Sequence, residues 1–231
     1  MIVRRSNGAT HLITQPDHAA LSRRIMEHWS PLAHHARRAS ILEAVGEHDN
    51  GWRELDQNPA IDRTGRVVDF VNAPSQVKQA VWPRGVARLA GDPWTAALVA
   101  QHAIAVYDRF RADAEWSSFF PEMQTIRDGY LRLAGLSLET LLGDYTFVRL
   151  GDLVSLSFCT GWTDPQHYDR WTVVDHDDRV VVTPYEFGKN EIRIEVPAIE
   201  VPAEPIASQD TLRAALATAR HVKLTGVIAP A

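Results

Sequence analysis

The sequence predicts an α+β fold, mainly α, in which a helical core is joined to a small antiparallel sheet. Between residues 14 and 160, apolar side chains recur at spacings of three and four, the period of amphipathic helices. Before residue 14 and from 165 to 231 the pattern changes to short extended runs, which are typical of strands. We therefore expect a single domain over residues 1–231, whose helical core spans 14–160 and whose sheet is a β-rich extension formed by 1–14 and 165–231.

The first residues predict a β-hairpin that leads directly into a helix. Residues 2–5 and 11–14 flank Asn7-Gly8, and Asn-Gly between short extended runs is the strongest local signal for a hairpin turn. Pro16, a residue type that is tolerated in the first turn of a helix, then marks where the first helix begins.

The middle of the chain predicts further helices around one long irregular segment. Residues 50–94 are rich in Pro, Gly, Asp and Asn, and we expect one short helix within them, near 75–82. Loops of this length are often functional. The other helices are expected at about residues 37–49, 93–110, 121–133 and 138–159. Strands are then expected at about 171–174, 179–183, 191–197 and 221–228, with a short helix at about 209–219.

Composition and charge exclude several classes of protein. The formal charge is −5, with no long run of Lys or Arg, which argues against general nucleic-acid binding. The single cysteine, Cys159, excludes an internal disulfide and suits a reducing cytosol. The first 15 residues lack the apolar stretch of a signal peptide, and no apolar stretch is long enough for a membrane span. We expect a cytoplasmic protein without a nucleic-acid or membrane partner, and the sequence leaves its oligomeric state open.

Four ionisable residues stand out because each falls on the apolar side of its predicted helix: His18, His48, Asp49 and Asp152. Ionisable side chains that face a core are costly unless they are paired or bind a metal. Imidazole and carboxylate groups that converge from separate helices are typical ligands of a divalent metal. The alternative is a polar core network, in which the histidines are packed in the core and Asp49 caps its helix.

A second set of residues is expected to act in catalysis and substrate binding. Asp49 and His102 are the candidate catalytic residues, and His102 is also a candidate extra ligand because it lies on an apolar helix face. The irregular segment after Asp49 supplies the candidate substrate-binding residues Trp52, Asp56 and Arg66. Trp52 would stack on a planar group, Asp56 would transfer a proton, and Arg66 would meet phosphate. The alternatives are a core anchor for Trp52 and solvated surface charges for Asp56 and Arg66.

The order His18, then His48-Asp49, then Asp152 resembles the ligand pattern of the HD-domain superfamily. Members of that superfamily are helical and are mostly metal-dependent phosphohydrolases that act on nucleotides or phosphodiesters. The resemblance covers residues 14–160 and implies an HD-domain-like helical core. It also implies that the family's first His corresponds to His18, its doublet to His48 and Asp49, and its final Asp to Asp152, which together hold a divalent metal.

The whole chain more closely resembles an uncharacterised bacterial family of unknown function. This resemblance rests on Met1-Ile2-Val3-Arg4, on Gln15-Pro16-Asp17-His18-Ala19, and on His48-Asp49-x-Gly51-Trp52 with Asp56 and Pro59. It implies the same metal-site pattern without implying a substrate.

Together these observations predict a metal-dependent hydrolase of a small phosphate ester or nucleotide. Mixed nitrogen and oxygen ligands suit one or two ions of Mn, Fe, Co, Ni or Zn better than Mg alone. The expected partner is a small-molecule substrate, for which a phosphate group is one option. Two alternatives share the ligand pattern: a di-iron oxygenase on the same scaffold, and a non-catalytic metal- or ligand-binding protein.

Overall fold

A computed structural model of the chain describes residues 1–6 and 8–231, so Asn7 of the predicted hairpin turn lies outside the described residues. The helices are α1 (Gln15–Met26), α2 (Arg38–Glu47), the four-residue α3 (Arg53–Asp56), α4 (Ser75–Ala87), α5 (Pro93–Val106), α6 (Phe119–Ala134), α7 (Leu138–Thr160) and α8 (Gln209–Ala217). The strands are β1 (Ile2–Ser6), β2 (Ala9–Ile13), β3 (Gln166–Tyr168), β4 (Trp171–His176), β5 (Arg179–Thr183), β6 (Ile192–Pro202) and β7 (Arg220–Ala229). Among the described residues, no helix combines the length and the apolar character needed to cross a membrane.

The predicted fold class, a helical core with a small antiparallel sheet, is wrong because the sheet is neither small nor purely antiparallel. Seven strands of the described chain form one curled sheet in the order β1-β2-β6-β7-β5-β4-β3. The sheet is mixed, since β5 and β7 pair in parallel whereas the other neighbouring strands pair antiparallel. The long strands β6 and β7 lie between the N-terminal hairpin and the β3–β5 strands. The C-terminal segment therefore builds the middle of a large sheet.

Strand β6 extends further than the sequence pattern indicates, which enlarges the sheet. The predicted strand ends at Pro197, a residue type that has no N–H to donate to a neighbouring strand. In the structure β6 continues to Pro202. Its pairing with β7 runs from Ile192 to Glu200, whereas its pairing with β2 begins only at Ile199. At Pro197, β6 is paired with β7 but not with β2, so no hydrogen bond from Pro197 to β2 is required. The strand therefore continues past the proline.

One face of the sheet packs against the helices. Along β6, Ile192, Ile194 and Val196 are buried, whereas Arg193 and Glu195 between them are exposed. This alternation is the pattern of a strand with one buried face. Most buried apolar residues of strands β4 to β7 belong to the same hydrophobic cluster as those of the helices. A second, smaller cluster joins the N-terminal hairpin, the end of β6 and α8 through Leu12, Val201 and Leu212.

Helix α7 lies at the centre of the helical layer. It packs against α1, α2 and α5 and also contacts strands of the sheet. Gly151 allows its close approach to α1, because a Cβ at this position would lie 2.7 Å from Cγ of Met26 and 2.8 Å from Oγ of Ser22. Since non-bonded carbon atoms pack at about 3.5–4.0 Å, a larger residue would hold the two helices apart.

Residues 50–94 are more helical than predicted, because α4 extends from Ser75 to Ala87. Helix α4 packs directly on the turn that follows α2. A Cβ at Gly51 would lie only 2.1 Å from the carbonyl oxygen of Val81, so this contact requires glycine. The contact holds the start of the segment, including Trp52, next to the end of α2.

Candidate metal centre

Five buried ionisable side chains from four segments of the chain meet inside the protein. His18 lies near the start of α1, His48 caps the C-terminus of α2, and Asp49 follows it. His102 lies in α5 and Asp152 lies in the middle of α7. The most exposed of the five, Asp49, retains only 8% of its accessible surface. The structure thus brings together the four predicted metal ligands and the two predicted catalytic residues, with Asp49 belonging to both sets.

The ligand atoms lie at the separations expected around a metal ion. His18 Nε2 lies 3.1 Å from His48 Nε2 and 3.2 Å from Asp152 Oδ1. His48 Nε2 lies 3.5 Å from Asp152 Oδ1 and from Asp49 Oδ2. Ligands bound at about 2.1 Å from one ion lie roughly 3.0–3.4 Å apart at octahedral or tetrahedral angles. The spacing of these donors therefore fits a shared ion.

Hydrogen bonds on the far side of each ring fix which imidazole nitrogen faces the cluster. His48 Nδ1 lies 2.7 Å from the carbonyl oxygen of Val45, which can only accept, so Nδ1 carries the proton. The Ser155 hydroxyl is within hydrogen-bond distance of the Gly151 carbonyl and donates to it, so Ser155 Oγ accepts from His18 Nδ1 at 3.0 Å. Each histidine therefore turns Nε2 towards the cluster. Metal-binding histidines are commonly oriented in this way by a hydrogen bond at the other ring nitrogen.

The electrostatics of the cluster favour a positive charge at Nε2 of His48. Burial by itself lowers the pKa of His48, but Asp49 and Asp152 raise it to about 9. Burial by itself raises the pKa of Asp152, but hydrogen bonds with His18 and His48 and the charge of Arg149 hold it well below its ordinary value. Two imidazole lone pairs at this distance repel each other unless a proton or a cation lies between them. A divalent cation would supply that charge.

His102 adds a third imidazole to the cluster. Its Nε2 lies 3.8 Å from Asp152 Oδ2, and its ring makes an edge contact with the ring of His48 at 4.9 Å between centroids. Its Nδ1 lies 3.1 Å from the hydroxyl of Tyr145. Burial holds the pKa of His102 well below its ordinary value, so the ring is neutral. A neutral imidazole keeps one lone pair that can bind a metal or accept a proton.

A cavity of about 550 Å³ opens onto this cluster. Asp49, His102 and Asp152 line it, and so does the predicted substrate-binding residue Trp52. The volume falls in the range of small-molecule sites, roughly 300–1,000 Å³. A small molecule in this cavity would therefore contact the donor cluster directly.

A family model described as "Protein of unknown function (DUF3891)" matches residues 1–203. The chain belongs to the DUF3891 family. The match includes all five residues of the cluster and ends just after β6, so α8 and β7 lie beyond it. The description of the DUF3891 family assigns no activity, and neither a curated protein nor a solved structure matches the chain.

Two of the substrate-binding residues predicted for this DUF3891 protein do not line the cavity beside the cluster. Asp56 pairs with the amino group of Met1 and accepts a hydrogen bond from the backbone N–H of Gln15. Because Gln15 is the first residue of α1, Asp56 anchors the start of the helix that carries His18. Arg66 lines a separate cavity at the protein surface. The structure therefore separates Asp56 and Arg66 from the candidate metal centre.

Sequence reasoning missed Arg149 as a site residue of this DUF3891 chain. Its Nη1 lies 2.6 Å from Asp152 Oδ2, and the side chain lines the same cavity. One signal could have found it, because a residue three positions before Asp152 on a helix lies on the same helix face. Lys78 of α4 and Arg109, which follows α5, also line the cavity. The helix period connects Arg109 to the cluster, since it lies two turns after His102, whereas only the packing of α4 brings Lys78 there.

Proposed function

We propose that this protein is a metal-dependent hydrolase that cleaves a small phosphate ester, with an HD-domain-like ligand set. One observation carries the proposal. His18, His48, Asp49 and Asp152 converge beside a cavity, and both histidines turn Nε2 into the cluster because Nδ1 is held by a partner on the far side of the ring. The order of these residues along the chain, a His, a His-Asp doublet and a distant Asp, supports the HD-domain-like assignment of the ligands.

The donors form two groups that could each hold an ion, namely His18, His48 and Asp49, and His48, His102 and Asp152. Because both groups include His48, a single ion is favoured over two. His48 Nδ1 is used by a backbone carbonyl, so only Nε2 is available, and one nitrogen binds one ion. We assign that ion to His18, His48, Asp49 and Asp152, with His102 as a further ligand. Nitrogen and carboxylate donors suit Mn, Fe, Co, Ni or Zn. When bound, such an ion lowers the pKa of a coordinated water and polarises a phosphoryl oxygen.

Asp49 is the carboxylate best placed to accept a proton from the attacking water. Neither oxygen of Asp152 is free to do so, because Oδ1 lies 3.2 Å from His18 Nε2, where it would face the ion, and Oδ2 accepts from Arg149. Asp49 Oδ2 faces His48, which leaves Oδ1 to accept the proton. Burial raises the pKa of Asp49, which makes it a better proton acceptor than an exposed carboxylate. His102, neutral and on the same cavity wall, is the second group that can move a proton.

Arg149 is well placed to bind the phosphoryl oxygens. One of its nitrogens is bonded to Asp152, and a guanidinium has five N–H donors, so several remain for a ligand in the cavity. Hydrogen bonds from arginine to phosphate are charge-assisted and stronger than those between neutral groups. A phosphate ester therefore suits this cavity better than an uncharged ester.

The test combines elemental analysis of the purified protein with a turnover screen on phosphate esters. We expect about one transition-metal ion per chain in the wild type and loss of the ion in Asp152→Asn and His48→Ala. Asp144→Asn is the matched control, because Asp144 is also a buried carboxylate of α7 but pairs with Arg37. That variant should keep its ion. The metal-loaded wild type should hydrolyse p-nitrophenyl phosphate or a nucleoside monophosphate, and Asp152→Asn should not.

Two outcomes would overturn this proposal in favour of its alternatives. Two iron ions per chain together with substrate-dependent oxygen consumption would identify an oxygenase. A stoichiometric ion without turnover of any phosphate ester in the screen would identify a non-catalytic metal- or ligand-binding protein.

A further inference from the structure

We infer that Lys78 and Arg109 form a second anion-binding site in the cavity, so that the natural ligand carries a second negatively charged group in addition to the phosphoryl group at the metal centre. This inference deepens the proposed function and rests on it for the identity of the first group. The site itself follows from the positions and charges of Lys78 and Arg109.

Lys78 is a buried cation without a carboxylate partner. It retains 9% of its accessible surface, and its Nζ donates to the carbonyl oxygen of Val71 at 2.7 Å. Among residues 1–6 and 8–231, no carboxylate forms an ion pair with it. Arg84 of the same helix and Arg88, which caps its C-terminus, behave differently, because both pair with Glu54. A buried charge is costly unless it is paired, so the unpaired Lys78 indicates a ligand of opposite charge.

Arg109 places a second positive charge near the first. Burial and the charge of Arg109 lower the pKa of Lys78, and the charge of Asp69 raises it without offsetting them, so the two cations are close enough to repel each other. Arg109 is exposed, stacks over the ring of Phe110 at 4.7 Å and, like Lys78, forms no ion pair with a carboxylate in the described chain. An anion between or beside the two cations would convert this repulsion into attraction.

The pair is separate from the metal centre. Arg149 is the cavity cation that contacts a carboxylate of the cluster, whereas Lys78 and Arg109 form no ion pair with Asp49 or Asp152. Lys78 instead bonds to Val71, which is 43% exposed at the cavity. A single phosphoryl group that meets the metal ligands and Arg149 therefore leaves Lys78 and Arg109 without an anion.

The cavity is large enough for a ligand that reaches both places. Its volume of about 550 Å³ is that of a site for a whole organic molecule and exceeds the need of one phosphate group. Trp52, Trp82 and Tyr107 line it, so the part of the ligand between its charged groups meets aromatic surface. The ligand class that fits is an organic phosphate with a second anionic group.

The chemistry of the two cations favours phosphate over carboxylate as that second group. An arginine fork binds two oxygens of either group, and a lysine adds a compact point charge. Two positive charges are matched by a dianionic phosphate, whereas a carboxylate carries only one negative charge. Phosphate should therefore bind more tightly than carboxylate at this site.

The test measures binding of non-hydrolysable phosphonates to the metal-loaded protein by calorimetry. The probes are alkane diphosphonates with two to six carbons between the groups, the matching monophosphonates, and phosphonoalkanoates that carry a carboxylate as the second group. We expect at least one diphosphonate to bind tenfold or more tightly than its monophosphonate, with the phosphonoalkanoate in between. Lys78→Met and Arg109→Met should abolish this preference while keeping the metal ion, and Lys78→Arg should retain it.

Arg84→Met is the matched control, because it removes a cation of the same helix that Glu54 already neutralises. It should leave the preference for diphosphonates unchanged. The inference is overturned if no diphosphonate in the series binds better than its monophosphonate, or if the preference is the same in the wild type and in Lys78→Met. If the preference depends on Lys78 but no phosphate ester is hydrolysed, the proposed hydrolase activity fails and the anion site stands.

Discussion

Replacing Gly151 by alanine tests whether the contact between α1 and α7 holds the candidate metal centre together. The added Cβ would lie 2.7 Å from Met26 Cγ, 2.8 Å from Ser22 Oγ and 3.1 Å from Val45 Cγ1. Non-bonded carbon contacts need about 3.5–4.0 Å, so the helices or side chains must move by up to roughly 1 Å. Such overpacking of a core typically costs about 1–3 kcal/mol of unfolding free energy.

The same displacement should weaken metal binding, because Asp152 directly follows Gly151 and faces His18 of the opposing helix at 3.2 Å. Metal–ligand distances tolerate only about 0.2 Å of variation. A shift of several tenths of an ångström between α1 and α7 should therefore lower the bound metal well below one ion per chain. Urea unfolding of the metal-free protein measures the stability, and elemental analysis after dialysis measures the metal.

Gly143→Ala is the matched control on the same helix. A Cβ at Gly143 would meet nothing within 4 Å, so this variant should gain about 0.5–1 kcal/mol from the better helix propensity of alanine and keep its metal. A Gly151→Ala protein that is as stable and as rich in metal as the wild type would refute the argument. It would mean that Met26 and Ser22 move aside without displacing α1.

Three further predictions concern single side chains. Ser155→Ala removes the acceptor of His18 Nδ1 and should lower metal affinity about 10- to 100-fold, as measured by competition with a chelator. The control Ser157→Ala removes a hydroxyl that bonds only to its own helix and should leave the metal affinity unchanged. Burial raises the pKa of Cys159, so a thiol reagent at pH 8 should label the unfolded protein and leave the native protein unlabelled over the same time. Burial also raises the pKa of Asp175, so its charged form lowers stability at neutral pH. Asp175→Asn should therefore raise the unfolding free energy at pH 7. This gain should disappear as the pH falls through the raised pKa, because the wild-type carboxyl then becomes protonated. A gain that persists at low pH would contradict the raised pKa of Asp175.

The positions of His18, His48, Asp49 and Asp152 could be predicted from the sequence because helix periodicity is local. Each residue occurs at a spacing of three or four from apolar residues, so an ionisable group on the buried face is visible without knowledge of the fold. The cost of burying such a group then requires a partner. That these four side chains share one ion remains a prediction, but their convergence is a property of the structure.

Other parts of the candidate site could not be predicted, because they depend on which elements pack together. Asp56 and Arg66 lie close to the doublet in sequence, yet the chain carries Asp56 to the start of α1 and Arg66 to a separate cavity. Lys78 and Arg109 lie far from the doublet in sequence and line the cavity beside it. Sequence proximity is therefore a poor guide in a segment without regular periodicity.

The sequence by itself determined where most helices and strands form and which of their faces are apolar, since these depend on neighbours within a few residues. The sequence also predicted that the two ends of the chain share a sheet, but only the tertiary structure decided the order and the direction of its strands. Strand β2 pairs with β6 from the opposite end of the chain, and β5 pairs in parallel with β7, so that all seven strands of the described chain form one mixed sheet. Alternation along a strand shows that one face is buried, but it does not identify the partner strand or its direction, because backbone hydrogen bonds between strands are the same for every sequence.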